Sequence, residues 1–166
     1  GTCELVKDLP MGIHTVKVIK MTEQGCMRAS LGGLTTDGTF LSPKKTPDLR
    51  LEFYGDSITG GYGNLGEKSG YQWDEDGTYT YATLATEALG AQASMLSYSG
   101  IPACLPVSHS HLKMVDAFDK VYLDAPDTMP KYDFSEYPAD VVVINLGTND
   151  TNSPALDFEG NMYEGY

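Results

Sequence analysis

The chain has 166 residues, a net charge of −12 and a pI near 4.4. Eleven Lys and Arg residues against 23 Asp and Glu residues oppose a phosphate-binding role, so nucleic acid is not an expected partner. No run of about 18 apolar residues occurs, so no helical membrane span is expected, and the length suits a core of useful size.

Residues 12–21 alternate imperfectly between apolar and polar and predict a strand; 25–31 and 38–41 predict further short strands between Gly, Thr and Asp turns. His14, inside the first of these, reads as a surface or packing residue. Residues 42–48 contain two prolines and no hydrophobic period, which predicts a linker. Cys3, Cys26 and Cys104 are widely spaced, with no CxxC pair and no histidine cluster beside them, so buried or free thiols are expected and no metal or other cofactor.

A strand predicted over 50–54 runs into Gly55-Asp56-Ser57-Ile58 and then a glycine-rich stretch. A serine hydroxyl is a poor nucleophile near neutral pH and needs a base, an exposed position and donors for the oxyanion that its attack creates. A sharp turn at a strand end supplies the exposed position, although Gly-Asp-Ser is also ordinary turn chemistry. Asp56, next to Ser57, points elsewhere and reads as a structural hydrogen-bond partner.

The loop 60–77 is rich in glycine and acidic residues. Trp73 within it, together with Tyr62 and Tyr98, could offer aromatic faces to sugar rings, while core packing accounts for some of these rings equally well. Residues 79–89 predict a helix with Tyr81, Leu84, Ala85 and Ala88 on one face and Gly90 as its stop. A strand over 93–98 then leads to Ser99-Gly100, where glycine lets a backbone N–H approach a substrate closely.

His109 and His111 face the same way on an extended segment and suit solvated loop positions better than metal ligation. A helix is predicted over 112–122 and a long loop over 124–138. The β-branched run at 140–146 predicts a buried parallel strand. Gly147-Thr148-Asn149-Asp150 would follow at its carboxyl end, on the sheet edge where Ser57 lies. Ser57, Gly100 and Asn149 could there form a three-donor oxyanion hole; Asp150, like Asp56, reads as structural.

Gly55-Asp56-Ser57-Ile58, Gly100 and Gly147-Thr148-Asn149-Asp150 resemble, in order, the first three signature blocks of the SGNH (GDSL-type) hydrolases. Residues 51–63 and 142–150, preceded by a β-rich segment, are most similar to the second family of carbohydrate esterases, and the resemblance covers roughly residues 12–166. It implies an α/β fold: part of a flavodoxin-like, three-layer SGNH domain over 46–166, preceded over 1–45 by strands from the end of a jelly-roll-like β-sandwich.

The resemblance also implies that Ser57 is the nucleophile and that its own N–H, the Gly100 N–H and the Asn149 amide are the oxyanion donors. The implied substrate is O-acetylated plant polysaccharide of the xylan or mannan type, met outside the cell or in a periplasm, with no cofactor. The family's fourth block, an Asp-x-x-His-like segment, has no match, and no histidine follows Asn149. Only three strands of a five-stranded order can be placed, so the chain is expected to be a piece of a longer protein that lacks the catalytic base. Its strand at 140–146 should then lie at an open sheet edge, where a second copy of the chain could pair. Two other readings are an SGNH lipase or thioesterase, which would need an acyl-chain groove, and a non-catalytic carbohydrate-binding protein.

Overall fold

A computed structural model of the chain describes residues 2–23, 29–66, 74–104, 112–123 and 125–150. Regular structure begins with strand β1 (Arg50–Gly55), followed by helix α1 (Ser57–Gly60) and a 3-10 turn over Gly77–Tyr79. Helix α2 (Tyr81–Ala88), strand β2 (Gln92–Ser97), helix α3 (Met114–Ala117) and strand β3 (Val141–Asn145) complete it. The strands form one parallel sheet in the order β2-β1-β3, within a residue of their predicted bounds.

Side chains of β1 alternate between two faces, and each face has its own core. Leu51 and Phe53 pack with Ala82 of α2, and Phe53 meets the Tyr81 ring edge-on, with centroids 6.0 Å apart. Tyr54 packs on the other face with Ile101, Leu123, and Met114 and Ala117 of α3. The result is helix, sheet and helix in three layers, with β1 buried between them.

Thr80 caps α2 by accepting the Thr83 N–H. The helix ends in a Schellman arrangement: Gly90, with φ +59°, donates to Glu87, and the Ala91 N–H reaches Thr86 O. The predicted stop at Gly90 is therefore observed, but the predicted apolar face is not. Ala82 is the fully buried residue, whereas Leu84 and Ala88 are exposed, because the eight-residue helix meets the sheet through its first turn.

Three further expectations are corrected. The helix predicted over 112–122 is confined to Met114–Ala117; the chain then turns, and an antiparallel bridge joins Lys120 to Lys131. The strand at 140–146 forms at the sheet edge, as expected, but it is not buried: Ile144 is 69% exposed, and among the described residues β3 pairs with β1 alone.

The sandwich strands are not formed either. Residues 2–23 and 29–49 hold no strand before Arg50, and Ile13 is 83% exposed. An alternating segment becomes a strand only when a ladder takes up its N–H and C=O groups, and none is present for these residues. Residues 24–28, part of the second expected strand and including Cys26, lie outside the described residues.

Candidate active site at the carboxyl edge of the sheet

Gly55, Ser97 and Asn145 stand in one row across the sheet, so all three strands end level. The loops that follow carry Ser57, Gly100 and Asn149, and they emerge on the same edge.

Ser57 is the first residue of α1 and is partly exposed. The turn that presents it is tightly built. Asp56 Oδ1 accepts the Ile58 N–H at 2.9 Å, and the Asp56 carbonyl accepts the N–H groups of Thr59 and Gly60. A Cβ on Gly55 would lie 1.9 Å from Thr59 Oγ1, so only glycine lets the helix fold back onto the strand end. The Ser57 carbonyl then accepts from Gly61 and Tyr62, which places the Tyr62 backbone directly beside Ser57.

Gly100 lies in the turn closed by the Ile101 N–H on Tyr98 O, with φ +82° and open space where a side chain would stand. Among the described residues, no acceptor takes the N–H of Ser57 or of Gly100. Asn149 connects the blocks: its Nδ2 donates to Ile101 O at 3.0 Å and reaches Asp56 Oδ2 at 3.5 Å. It thus touches the residue before Ser57 and the residue after Gly100. One amide hydrogen is well committed, and the other is held only by a long contact.

Asp150 braces the same junction, its carboxylate accepting the N–H groups of Ala103 and Cys104. Asp56 is 1% exposed and committed to its helix cap. Both acidic residues are structural, as the sequence suggested. Tyr98 is only partly exposed and packs against the Tyr54 and Ile101 core. Trp73, His109 and His111 lie outside the described residues. His14 sits in the exposed N-terminal segment, bonded to Pro10 O. Among the described residues no group of His, Cys, Asp or Glu is placed to hold a metal, and no helix is long and apolar enough to cross a membrane.

Two acidic residues at this edge were not singled out from the sequence. Glu75, from the acid-rich loop over 60–77, is 1% exposed and accepts the Glu23 N–H at 2.7 Å. Glu23 in turn accepts the Ser99 N–H at 2.5 Å through Oε2. Burial pushes the Glu23 carboxyl above its ordinary range; the Ser99 N–H opposes this and the Glu75 carboxylate adds to it. The signal available in the sequence was weak, because acid-rich loops usually face water.

No family model matches the chain. It is 33% identical over 161 residues to the cellulase/esterase CelE of Acetivibrio thermocellus, a match covering 95% of this chain and 20% of that protein. It is 28% identical over 157 residues to the acetylxylan esterase/glucomannan deacetylase of Cellvibrio japonicus, covering 90% of this chain and 43% of that one. A solved family two carbohydrate esterase from Clostridium thermocellum, in complex with cellohexaose, superimposes with a TM-score of 0.61 at 36% identity, over 69% of this chain and 36% of its own. The chain spans less than half the length of either relative. Sequence and fold agree in likening the chain to the second family of carbohydrate esterases.

Proposed function

We propose that this chain carries the nucleophile and oxyanion donors of a serine esterase that removes O-acetyl groups from plant polysaccharide of the xylan or mannan type. The observation that carries the reading is Asn149 spanning from Asp56, beside Ser57, to Ile101, beside Gly100. The relatives that act on acetylated xylan and glucomannan by name supply the substrate class.

In this reading Ser57 Oγ attacks the acetyl carbonyl and passes its proton to a base. The carbonyl oxygen, now negative, is met by the N–H groups of Ser57 and Gly100, which have no acceptor among the described residues, and by the Asn149 hydrogen released from its long contact with Asp56. Collapse of the tetrahedral intermediate breaks the bond to the sugar oxygen, which leaves as the alcohol after taking a proton. Water then attacks the acetyl-Ser57 ester, releasing acetate and restoring the hydroxyl. Asp56 is committed to its cap and does not serve as the base; the family's C-terminal histidine block is the proposed source.

Tyr62 and Trp73 are the proposed sugar-contacting rings, with Tyr98 contributing from the partly buried side. The reading takes residues 1–45 as the end of a preceding domain and 46–166 as the start of the hydrolase domain. It places the protein outside the cell or in a periplasm, because a polysaccharide does not cross a membrane.

A second reading, glycan binding without turnover, is favoured by the cellohexaose complex of the 36% identical neighbour. Acetate release from acetylated xylan by the chain joined to the histidine-bearing C-terminal segment of a family two carbohydrate esterase, measured beside retention on insoluble polysaccharide, separates the two. Release that Ser57→Ala abolishes supports the esterase; retention with no release supports the binding protein.

A further inference from the structure

The N-terminal segment is exposed over most of its length, yet residues 21–23 dock against the edge that carries Ser57. Met21 O accepts the Gly77 N–H at 2.8 Å, and the Glu23 N–H is held by Glu75. The Glu23 carboxylate lies between two parts of the site. On one side it accepts the Ser99 N–H; on the other, Glu23 Oε2 and Glu75 Oε1 stand 3.8 and 3.3 Å from where a Cβ of Gly60 would be. Gly60 belongs to α1, the helix that begins with Ser57, so its missing side chain eases the approach of the Glu75 carboxyl group and leaves Glu23 within contact reach of that helix.

We propose that Glu23 is a positioning residue for the oxyanion turn, fixing the Ser99 N–H against α1 so that the next N–H, that of Gly100, is left for the substrate oxygen. The proposal rests on the acyl-transfer reading of this edge.

Two consecutive N–H groups in a turn compete for whatever acceptor is near. Holding the first on a fixed carboxyl group anchors one end of the turn, and the Ile101 N–H on Tyr98 O anchors the other, so the Gly100 N–H between them has less freedom to lose during the reaction. Preorganisation of this kind lowers the barrier without adding ground-state contacts, so its loss reads in kcat more than in KM. The charged groups facing Glu23 are Glu75, from the loop before the 3-10 turn, and Lys20, from its own segment; Ser99 and Gly60 complete its surroundings without charge. Burial, with Glu75 close by, raises the Glu23 carboxyl above its ordinary range, while the Ser99 N–H that it accepts works the other way.

The test is amide NMR of the wild-type chain, Glu23→Ala and Glu23→Gln, with ester hydrolysis followed in parallel. In the wild type the Ser99 amide proton should resonate downfield, exchange slowly and shift as Glu23 titrates. Glu23→Ala should lose the downfield shift and speed Ser99 exchange by about tenfold or more while moving the Gly100 signal. Glu23→Gln, which keeps an acceptor, should hold Ser99 but abolish its titration. On an activated aryl acetate, in the chain joined to the histidine-bearing C-terminal segment of a family two carbohydrate esterase, Glu23→Ala should lower kcat with KM within about twofold, and Glu23→Gln should recover most of the loss. Ser99 and Gly100 signals unchanged in Glu23→Ala would overturn the proposal whatever the activity, and so would an unchanged kcat where Ser57→Ala abolishes turnover. Turnover that ignores Ser57→Ala would instead remove the esterase reading on which it rests.

Discussion

Asn149 reaches across the carboxyl edge of the sheet to Ile101 O, 3.0 Å away, and so ties the loop after β3 to the turn after β2. Ile101 is fully buried, so its carbonyl has little access to water if the amide is removed. Asn149→Ala should therefore cost about 1–3 kcal/mol of stability, read by thermal unfolding. In any form of the protein that turns over acetate esters it should lower kcat by roughly 10²–10³. Asn149→Asp should be at least as damaging, because it sets a carboxylate against the Asp56 carboxylate and the Ile101 carbonyl. Full stability in both variants would show that this bond does not join the loops.

The two glycines that shape the edge should respond differently to alanine. At Gly55 the new Cβ would collide with the Thr59 side chain, so Gly55→Ala should shift α1 and cost about 1–3 kcal/mol or more. At Gly100 space is open and only the left-handed backbone resists, so about 1–2 kcal/mol is expected with the core undisturbed. Denaturant titration of both variants checks the order; equal costs would contradict the packing described for Gly55.

The Glu23 carboxyl, raised chiefly by burial, binds its proton more tightly in the folded chain than in the unfolded one. Its contribution to stability is therefore complete below the ordinary carboxylate range and is lost as pH rises through the raised value. Unfolding followed from about pH 4 to about pH 7 should show wild type losing stability relative to Glu23→Gln, in which that ionisation is removed. Parallel curves would contradict the part-buried position of Glu23.

The strands, the stop at Gly90 and the edge shared by Ser57, Gly100 and Asn149 were legible because each is written locally. Apolar β-branched runs end at glycine turns, and parallel strands all present their carboxyl ends to one side. The strands expected over 12–21 and 38–41 were not realised, because alternation is local whereas a strand exists only through pairing. Glu23 and Glu75 were illegible for a related reason. Their burial depends on contacts 52 and 76 residues apart in the chain, and no spacing rule carries such information. Tyr62 was read for its ring, as a sugar platform or a packing residue, while its backbone role, donating to Ser57 O, became visible only once the turn was built.

Strand β3 exposes Val141, Val142 and Ile144 at 47, 51 and 69% and, among the described residues, has a neighbour on one side only. An open apolar strand of this kind is a pairing surface, and a second copy of the chain is the partner expected in pure solution. Light scattering should give a mass that rises with concentration, and Val142→Lys should reduce the rise. A monomer at every concentration would contradict this.

The most direct test of the three-block active site is hydrolysis of an activated aryl acetate by the chain alone and by the chain joined to the histidine-bearing C-terminal segment of a family two carbohydrate esterase. The chain alone should turn over slowly or not at all, since the Asp-x-x-His-like block that the resemblance makes the source of the base has no match in its sequence. The joined protein should turn over, and Ser57→Ala should lower its kcat by roughly 10⁴ or more. Turnover in the joined protein that Ser57→Ala leaves unchanged would contradict the assignment of Ser57 as the nucleophile.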